Sequence, residues 1–259
     1  MRYKSGQPLP DNVRAALRFA GKTGFLSRRA WHEFFGTGDE RWAMRQLQRL
    51  EERGLLKPHP NPAARGCFVP TSFSRQILEN ENSVHVGPAP VAQLHHDETV
   101  ARSLLILERE KFFTEWRMEA ELKSAQAKEF QLSRDLRNKK YPDAVFRAWA
   151  LGKERTFAVE YERTRKSAIR YKDILWLYSR SDSFAMILFI VESQAIQKMI
   201  EGRLSYLRIV NLFDRVAFTS VDEWRKSPGD APIQLGRKII SLRGLCQARK
   251  TDRAEKMAT

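Results

Sequence analysis

Two short apolar runs, Tyr141-Pro142-Asp143-Ala144-Val145-Phe146 and Phe157-Ala158-Val159-Glu160-Tyr161-Glu162, each carry an acidic residue at a fixed place. Their strand-type composition and the Gly152-Lys153 turn between them predict a hairpin that sets Asp143 beside Glu160. Two carboxylates on neighbouring strands are hard oxygen ligands for a divalent cation, usually Mg²⁺. Arg163, Arg165, Lys166, Arg170 and Lys172 follow at once. A metal-sized acidic pair rimmed with cations suits a phosphodiester better than a sugar or a peptide. On the hairpin alone, the competing reading has equal weight: charges on the exposed face of a half-buried sheet are ordinary.

The composition narrows the partner. With 259 residues the chain can build two modest cores, and a net charge of +15 asks for a polyanion. No apolar run reaches the roughly 18 to 20 residues that span a bilayer. The opening Met1-Arg2-Tyr3-Lys4-Ser5-Gly6 lacks a signal-peptide core, so a cytoplasmic protein is expected. Cys67 and Cys246 are too few and too far apart for a disulfide framework or a zinc site. There is no Gly-x-Ser-x-Gly, P-loop, His-Glu-x-x-His or dinucleotide fingerprint.

The elements that must position the pair follow from periodicity. In a first domain over residues 10–80, Val13 to Ala20 has helical spacing and stops at Gly21, and Ser27 caps Arg28 to Phe35. A third helix, Asp39 to Arg53, turns Trp42, Leu47 and Leu50 inward and ends at Gly54. Leu55-Leu56-Lys57 and Cys67 to Pro70 read as two strands around a Pro- and Asn-rich tip. Residues 81–90 read as a linker. In a second domain over 91–225, a helix through Val100, Leu104 and Leu107 precedes a strand at Phe112 to Arg117. Past the hairpin come a helix from Ser167 to Tyr178 with Ile169, Ile174, Leu175 and Leu177 inward, an apolar strand at Phe184 to Val191, a covering helix at Ser193 to Glu201 and a strand at Val216 to Ser220. Residues 226–259, with Arg249, Lys250, Arg253 and Lys256, read as a basic and partly disordered tail. The class is α/β in the α+β sense.

Strand, Pro-Asp, strand, Glu-x-x, then a basic helix resembles the PD-(D/E)XK nuclease core. Joined to the first domain, it most resembles the plasmid replication-relaxation family, over about Arg14 to Trp224. The resemblance implies an N-terminal winged helix-turn-helix followed by a restriction-endonuclease-like αβββαβ domain. The third helix would then enter the major groove of double-stranded DNA, with Arg41, Arg45, Gln48 and Arg49 on its outer face and Arg65 at the wing tip. It also implies Asp143, Glu160 and Asp97 as ligands of Mg²⁺; Asp97 shares a helix face with Val100 and Leu104, whereas Glu98 is rotated away. His95 and His96 read as helix-start histidines with no ligand role. Glu119 is a further carboxylate at the Trp-x-x-Glu position, and Arg134, Arg137, Lys139 and Lys140 crowd the approach to Asp143.

The sequence departs from that pattern where a lysine should orient the attacking water, because the triplet ends in Glu162. The amine could come from Lys172, the first choice, or Lys166; otherwise the fold is a DNA-binding scaffold that cuts nothing. Three readings stay open: a DNA-binding protein of a mobile genetic element acting in plasmid replication, relaxation or transfer; a winged-helix regulator whose second domain dimerises or senses; and an active Mg²⁺-dependent endonuclease. A homodimer and a relaxase or replication partner stay open with them, and no membrane is expected.

Overall fold

A computed structural model describes residues 8–132, 140–150 and 152–246, the side chain of residue 114 apart. The expected positions Arg134, Arg137, Lys139, Arg249, Lys250, Arg253 and Lys256 lie outside these residues. The fold is mixed α/β, and the chain divides into two compact units, Met1–Glu98 and Thr99–Thr259.

The first unit runs α1 (Asp11–Thr23), β1 (Leu26–Ser27), α2 (Arg28–Ala30) continued by a π-helical turn at Trp31–Phe35, α3 (Glu40–Glu52), β2 (Leu56–Pro58), β3 (Cys67–Pro70) and α4 (Ser72–Asn80). Its three strands form one antiparallel sheet in the order β1-β3-β2. The Ser27 hydroxyl accepts from the Ala30 N–H and Asp39 accepts from the Trp42 N–H, so two predicted helix starts are capped by short oxygen side chains. Leu47 and Leu50 are buried as expected, but Ala43 rather than Trp42 completes the inner stripe of α3. Trp42 is half-exposed and lies under the guanidinium groups of Arg45 and Arg49, 5.9 and 5.0 Å from the ring centre.

Helix α1 does not stop at Gly21. It ends at Gly24, which adopts a φ of 80° and returns its N–H to the Ala20 carbonyl. The expected linker at 81–90 is part of the first unit: Val86 donates to the Gly21 carbonyl, and Ala89 and Leu94 pack with Phe25 and Ala64. The division falls inside α5 (Val91–Arg109), because apolar residues among the prolines of this stretch find a core.

In the second unit, the rest of α5 leads to β4 (Phe113–Met118), α6 (Glu119–Ser124), β5 (Ala144–Ala150), β6 (Lys153–Glu162), α7 (Ala168–Ser179), β7 (Met186–Val191), α8 (Gln194–Leu207), α9 (Val210–Phe213), β8 (Val216–Ser220) and α10 (Val221–Lys226). Beyond α10 the described part of the expected tail forms β9 (Ile233–Leu235), β10 (Lys238–Ile240) and α11 (Leu242–Cys246). Buried Ile233 and Leu242 hold it, and the Gly236 turn closes the β9–β10 hairpin onto the edge of the sheet. The seven strands stand in the order β10-β9-β8-β7-β6-β5-β4, with β6, β7 and β8 parallel and the remaining neighbours antiparallel. Strand β7 is buried along its whole length, as its unbroken apolar run requires.

The inner face of α7 differs from expectation. Tyr171, Ile174, Leu175 and Tyr178 are buried, whereas Ile169 is 71% exposed. The true stripe is 171, 174, 175 and 178, and two of its members are tyrosines whose hydroxyls reach buried acids.

Gly24 and Gly54 both hold positive φ, but only Gly24 is enclosed: a Cβ there would stand 2.3 Å from the Gly87 carbonyl oxygen, while nothing lies within 4 Å at Gly54. Gly54→Ala is expected to cost about 1–2 kcal/mol of unfolding free energy from the left-handed backbone alone. Gly24→Ala is expected to cost at least ~1 kcal/mol more, because backbone must move. Denaturant unfolding checks the pair, and equal losses would contradict the enclosed turn.

Candidate functional site

The antiparallel pairing of β5 with β6 sets Ala144 against Val159, and the same register carried one residue further sets Asp143 against Glu160. The Tyr161 N–H donates to Asp143 Oδ2 at 2.8 Å, fixing that carboxylate at the end of β6. The Asp143 carbonyl accepts from the Glu119 N–H at 2.8 Å, which brings the start of α6 to the same place. Glu160 and Glu162, two apart on a strand, share the face toward α7. Tyr161 faces the other way, where its hydroxyl bonds to Glu192 and lies 3.4 Å from an Arg225 nitrogen.

Each buried glutamate has one tyrosine and one lysine. Tyr178 Oη donates to Glu160 Oε1 at 2.5 Å, and Lys140 Nζ stands 3.6 Å from the same oxygen. Tyr171 Oη reaches Glu162 Oε2 at 3.5 Å, and Lys166 Nζ forms a short ion pair with Glu162 Oε1. The crossover explains the matching. Helix α7 returns the chain between the parallel strands β6 and β7, so its early tyrosine meets the late glutamate and its late tyrosine the early one. Lys123 pairs with Glu119 at 2.9 Å on the rim.

The electrostatics follow from burial. Desolvation first, then the nearby Asp143 charge, push Glu160 up to about 7 although Lys140, Lys166 and the Tyr178 hydroxyl favour its anion. Burial likewise raises Glu162 against the pull of Lys166, and raises Glu119 against that of Lys123. Burial disfavours the charge of Lys140, yet Glu160, Asp143, Glu119 and Glu162 together hold its ammonium above the usual lysine value. Tyr178 is pushed well above its ordinary range, by burial and then by Glu160. Lys140 is therefore the cation common to all four acids.

Of the predicted residues, Asp143, Glu160 and Glu162 come together, with Glu119 beside them. Lys172 lies on the exposed side of α7, one position past buried Tyr171, whereas the lysines found at Glu160 and Glu162 are Lys140 and Lys166. Asp97 lies in the first unit with its Oδ1 3.0 Å from His96 Nδ1, and Glu98 is bonded by the Ser27 hydroxyl. Arg41, Arg45, Gln48 and Arg49 are all exposed on α3, and Arg65 is exposed at the β2–β3 tip. Cys67 and Cys246 are unbridged thiols pushed up to about 11 by burial, so neither is a ready nucleophile.

Among the described residues no three His, Cys, Asp or Glu side chains converge as a metal cage. A protein-enclosed cation does not fit here. A sparser Mg²⁺ site needs only one or two protein carboxylates, the ion keeping waters and taking substrate phosphate oxygens, and Asp143 and Glu160 are the two that would hold it. Among the described residues no helix is long and apolar enough to cross a membrane. No family model, curated protein or solved structure matches the chain.

A carboxyl whose folded value lies above its unfolded one stabilises the fold at low pH and loses that contribution as pH rises. For Glu160 the loss runs from its ordinary 4.5 to about 7. Glu160→Gln, which cannot ionise, is expected to flatten the fall in unfolding free energy across that window by on the order of 3 kcal/mol. Urea unfolding at a series of pH values reads this; a slope identical to wild type would remove Glu160 from the buried charge set.

Proposed function

We propose that this chain is a DNA-binding protein whose first unit is a winged helix-turn-helix and whose second unit is a nuclease-like αβββαβ core. The observation that carries the reading is the placement of Asp143 opposite Glu160 at the end of adjacent strands, with Lys140 3.6 Å from Glu160 and its charge favoured by all four nearby acids. The β1-β3-β2 sheet beside three helices supports the winged-helix assignment, since the β2–β3 hairpin is then the wing and α3 the recognition helix. Arg41, Arg45, Gln48 and Arg49 on the outer side of α3 suit phosphate and base-edge contacts. The setting, a mobile genetic element in the cytoplasm with a role in plasmid replication, relaxation or transfer, rests on the family resemblance.

Metal-dependent strand cleavage is the second reading, and Lys140 favours it. Its ammonium is held charged beside the carboxylate pair, which supplies the positive group that Glu162 removes from the triplet. Asp143 and Glu160 would hold Mg²⁺, whose chemistry here is to polarise a phosphate and acidify a water. Lys140 would steady the charge that develops on the phosphate oxygens. Tyr178 orients Glu160 and keeps one of its oxygens bonded.

A single set of purified proteins tests both readings. Arg45→Ala/Arg49→Ala is expected to weaken duplex binding about tenfold or more and to lower its salt slope by about two, as loss of two phosphate contacts requires. Supercoiled plasmid incubated with Mg²⁺ or Mn²⁺ is expected to be nicked by wild type and left intact by Asp143→Ala, with duplex affinity unchanged in that variant. Unaltered binding by the arginine variant would exclude α3 from the interface. Duplex binding without any nicking would leave the second unit a scaffold.

A further inference from the structure

Helix α8 carries a second surface, away from the carboxylate cluster. Ala195, Met199, Gly202 and Tyr206 recur at the three- and four-residue intervals of one helix face. With Arg165, Lys198 and Arg203 they line an open groove of about 580 Å³. Every charged residue of that lining is a cation. The carboxylate of the same helix, Glu201, is bonded instead by Gln197 and Gln234. Tyr206 is 75% exposed, and the Arg203 guanidinium lies 5.5 Å from its ring centre. A large aromatic left in water beside three cations has no role in the core.

The geometry points to a groove for an unpaired nucleic-acid strand, with Arg165, Lys198 and Arg203 on its phosphates and Tyr206 stacked on a base. The charge complementarity is one-sided, which suits a polyanion. The exposed ring selects the single strand, because the bases of an intact duplex are already stacked on one another and offer no free face. Gly202 leaves the groove floor open; a Cβ there would meet nothing within 4 Å, so a larger residue can fill the groove without disturbing the helix packing. The location is also specific. Arg165 directly precedes Lys166, the partner of buried Glu162, so the segment that leaves the carboxylate cluster also supplies a cation of the groove. This proposal rests on the DNA-binding reading above and adds to it a strand path in the second unit.

Fluorescence anisotropy with labelled oligothymidine and, separately, a labelled duplex distinguishes the two. Tyr206→Ala is expected to weaken oligothymidine binding on the order of tenfold, and Tyr206→Phe to keep it, since stacking needs the ring and not the hydroxyl. Lys198→Ala/Arg203→Ala is expected to lower the salt slope for oligothymidine by about 1.4, at roughly 0.7 per phosphate. Gly202→Leu should block the groove without lowering the circular dichroism melt, since leucine is the better helix former. All four are expected to bind the duplex as wild type does, and Arg45→Ala/Arg49→Ala to bind oligothymidine as wild type does. Wild-type affinity for oligothymidine in Tyr206→Ala, Lys198→Ala/Arg203→Ala and Gly202→Leu would overturn the groove alone. Equal competition by polyglutamate, or by unlabelled duplex, would reduce it to a general anion surface and overturn it too. Failure of wild type to bind either probe would overturn the DNA-binding reading with it.

Discussion

The second unit is organised by the need to keep acids inside it. Glu160 and Glu162 are each only 1% exposed, at the end of a central strand, with Asp143 opposite and Glu119 adjoining. Ionised carboxylates in such a place cost several kcal/mol each unless cations and hydrogen-bond donors meet them. Lys140 arrives from the segment before β5, Lys166 from the turn after β6, and Tyr171 and Tyr178 from α7. Elements distant in sequence are thereby fixed to one point. The buried tyrosines also complete the apolar layer in which Ile174, Leu175 and Phe189 pack, so the polar site and the core share the same helix.

Such an arrangement is costly for a purely structural purpose, since an apolar core of equal volume is often as stable. That comparison favours a working site over a decorative one. On the reading proposed above, two carboxylates beside a held ammonium would serve a phosphate that brings a divalent ion with it. The cationic groove on α8 and the arginine-rich outer side of α3 place positive charge on each unit, as the proposed nucleic-acid partner would require.

The carboxylate pair was legible because strand spacing is rigid: an acid at the start of one run and an acid near the end of the next can be counted into register. The same counting located β7 and β8 and the capped starts at Ser27 and Asp39. Lys140 was not legible as the site's amine. It sits at the end of a basic run in which no pattern separates one lysine from the next, and it is the fold, through the Leu132–Lys140 backbone hydrogen bond and the contact with Glu160, that singles it out. The tyrosines of α7 were missed because Ile169 offered a more apolar stripe, although Tyr171 and Tyr178, seven apart, lie on one face. The stretch around β9 and β10 was read as a tail because its net charge hid a hairpin whose apolar residues are few.

The claim beneath the rest is that Lys140 and Glu160 stabilise each other within one buried charge set. A double-mutant cycle measures it directly: unfolding free energies of wild type, Lys140→Met, Glu160→Gln and the double variant, taken near pH 8, about one unit above the value to which Glu160 is raised. The account predicts that Lys140→Met alone costs on the order of 2–4 kcal/mol, because it leaves a buried anion unpaired, and that adding Glu160→Gln recovers most of the loss. Strict additivity of the two substitutions would contradict it.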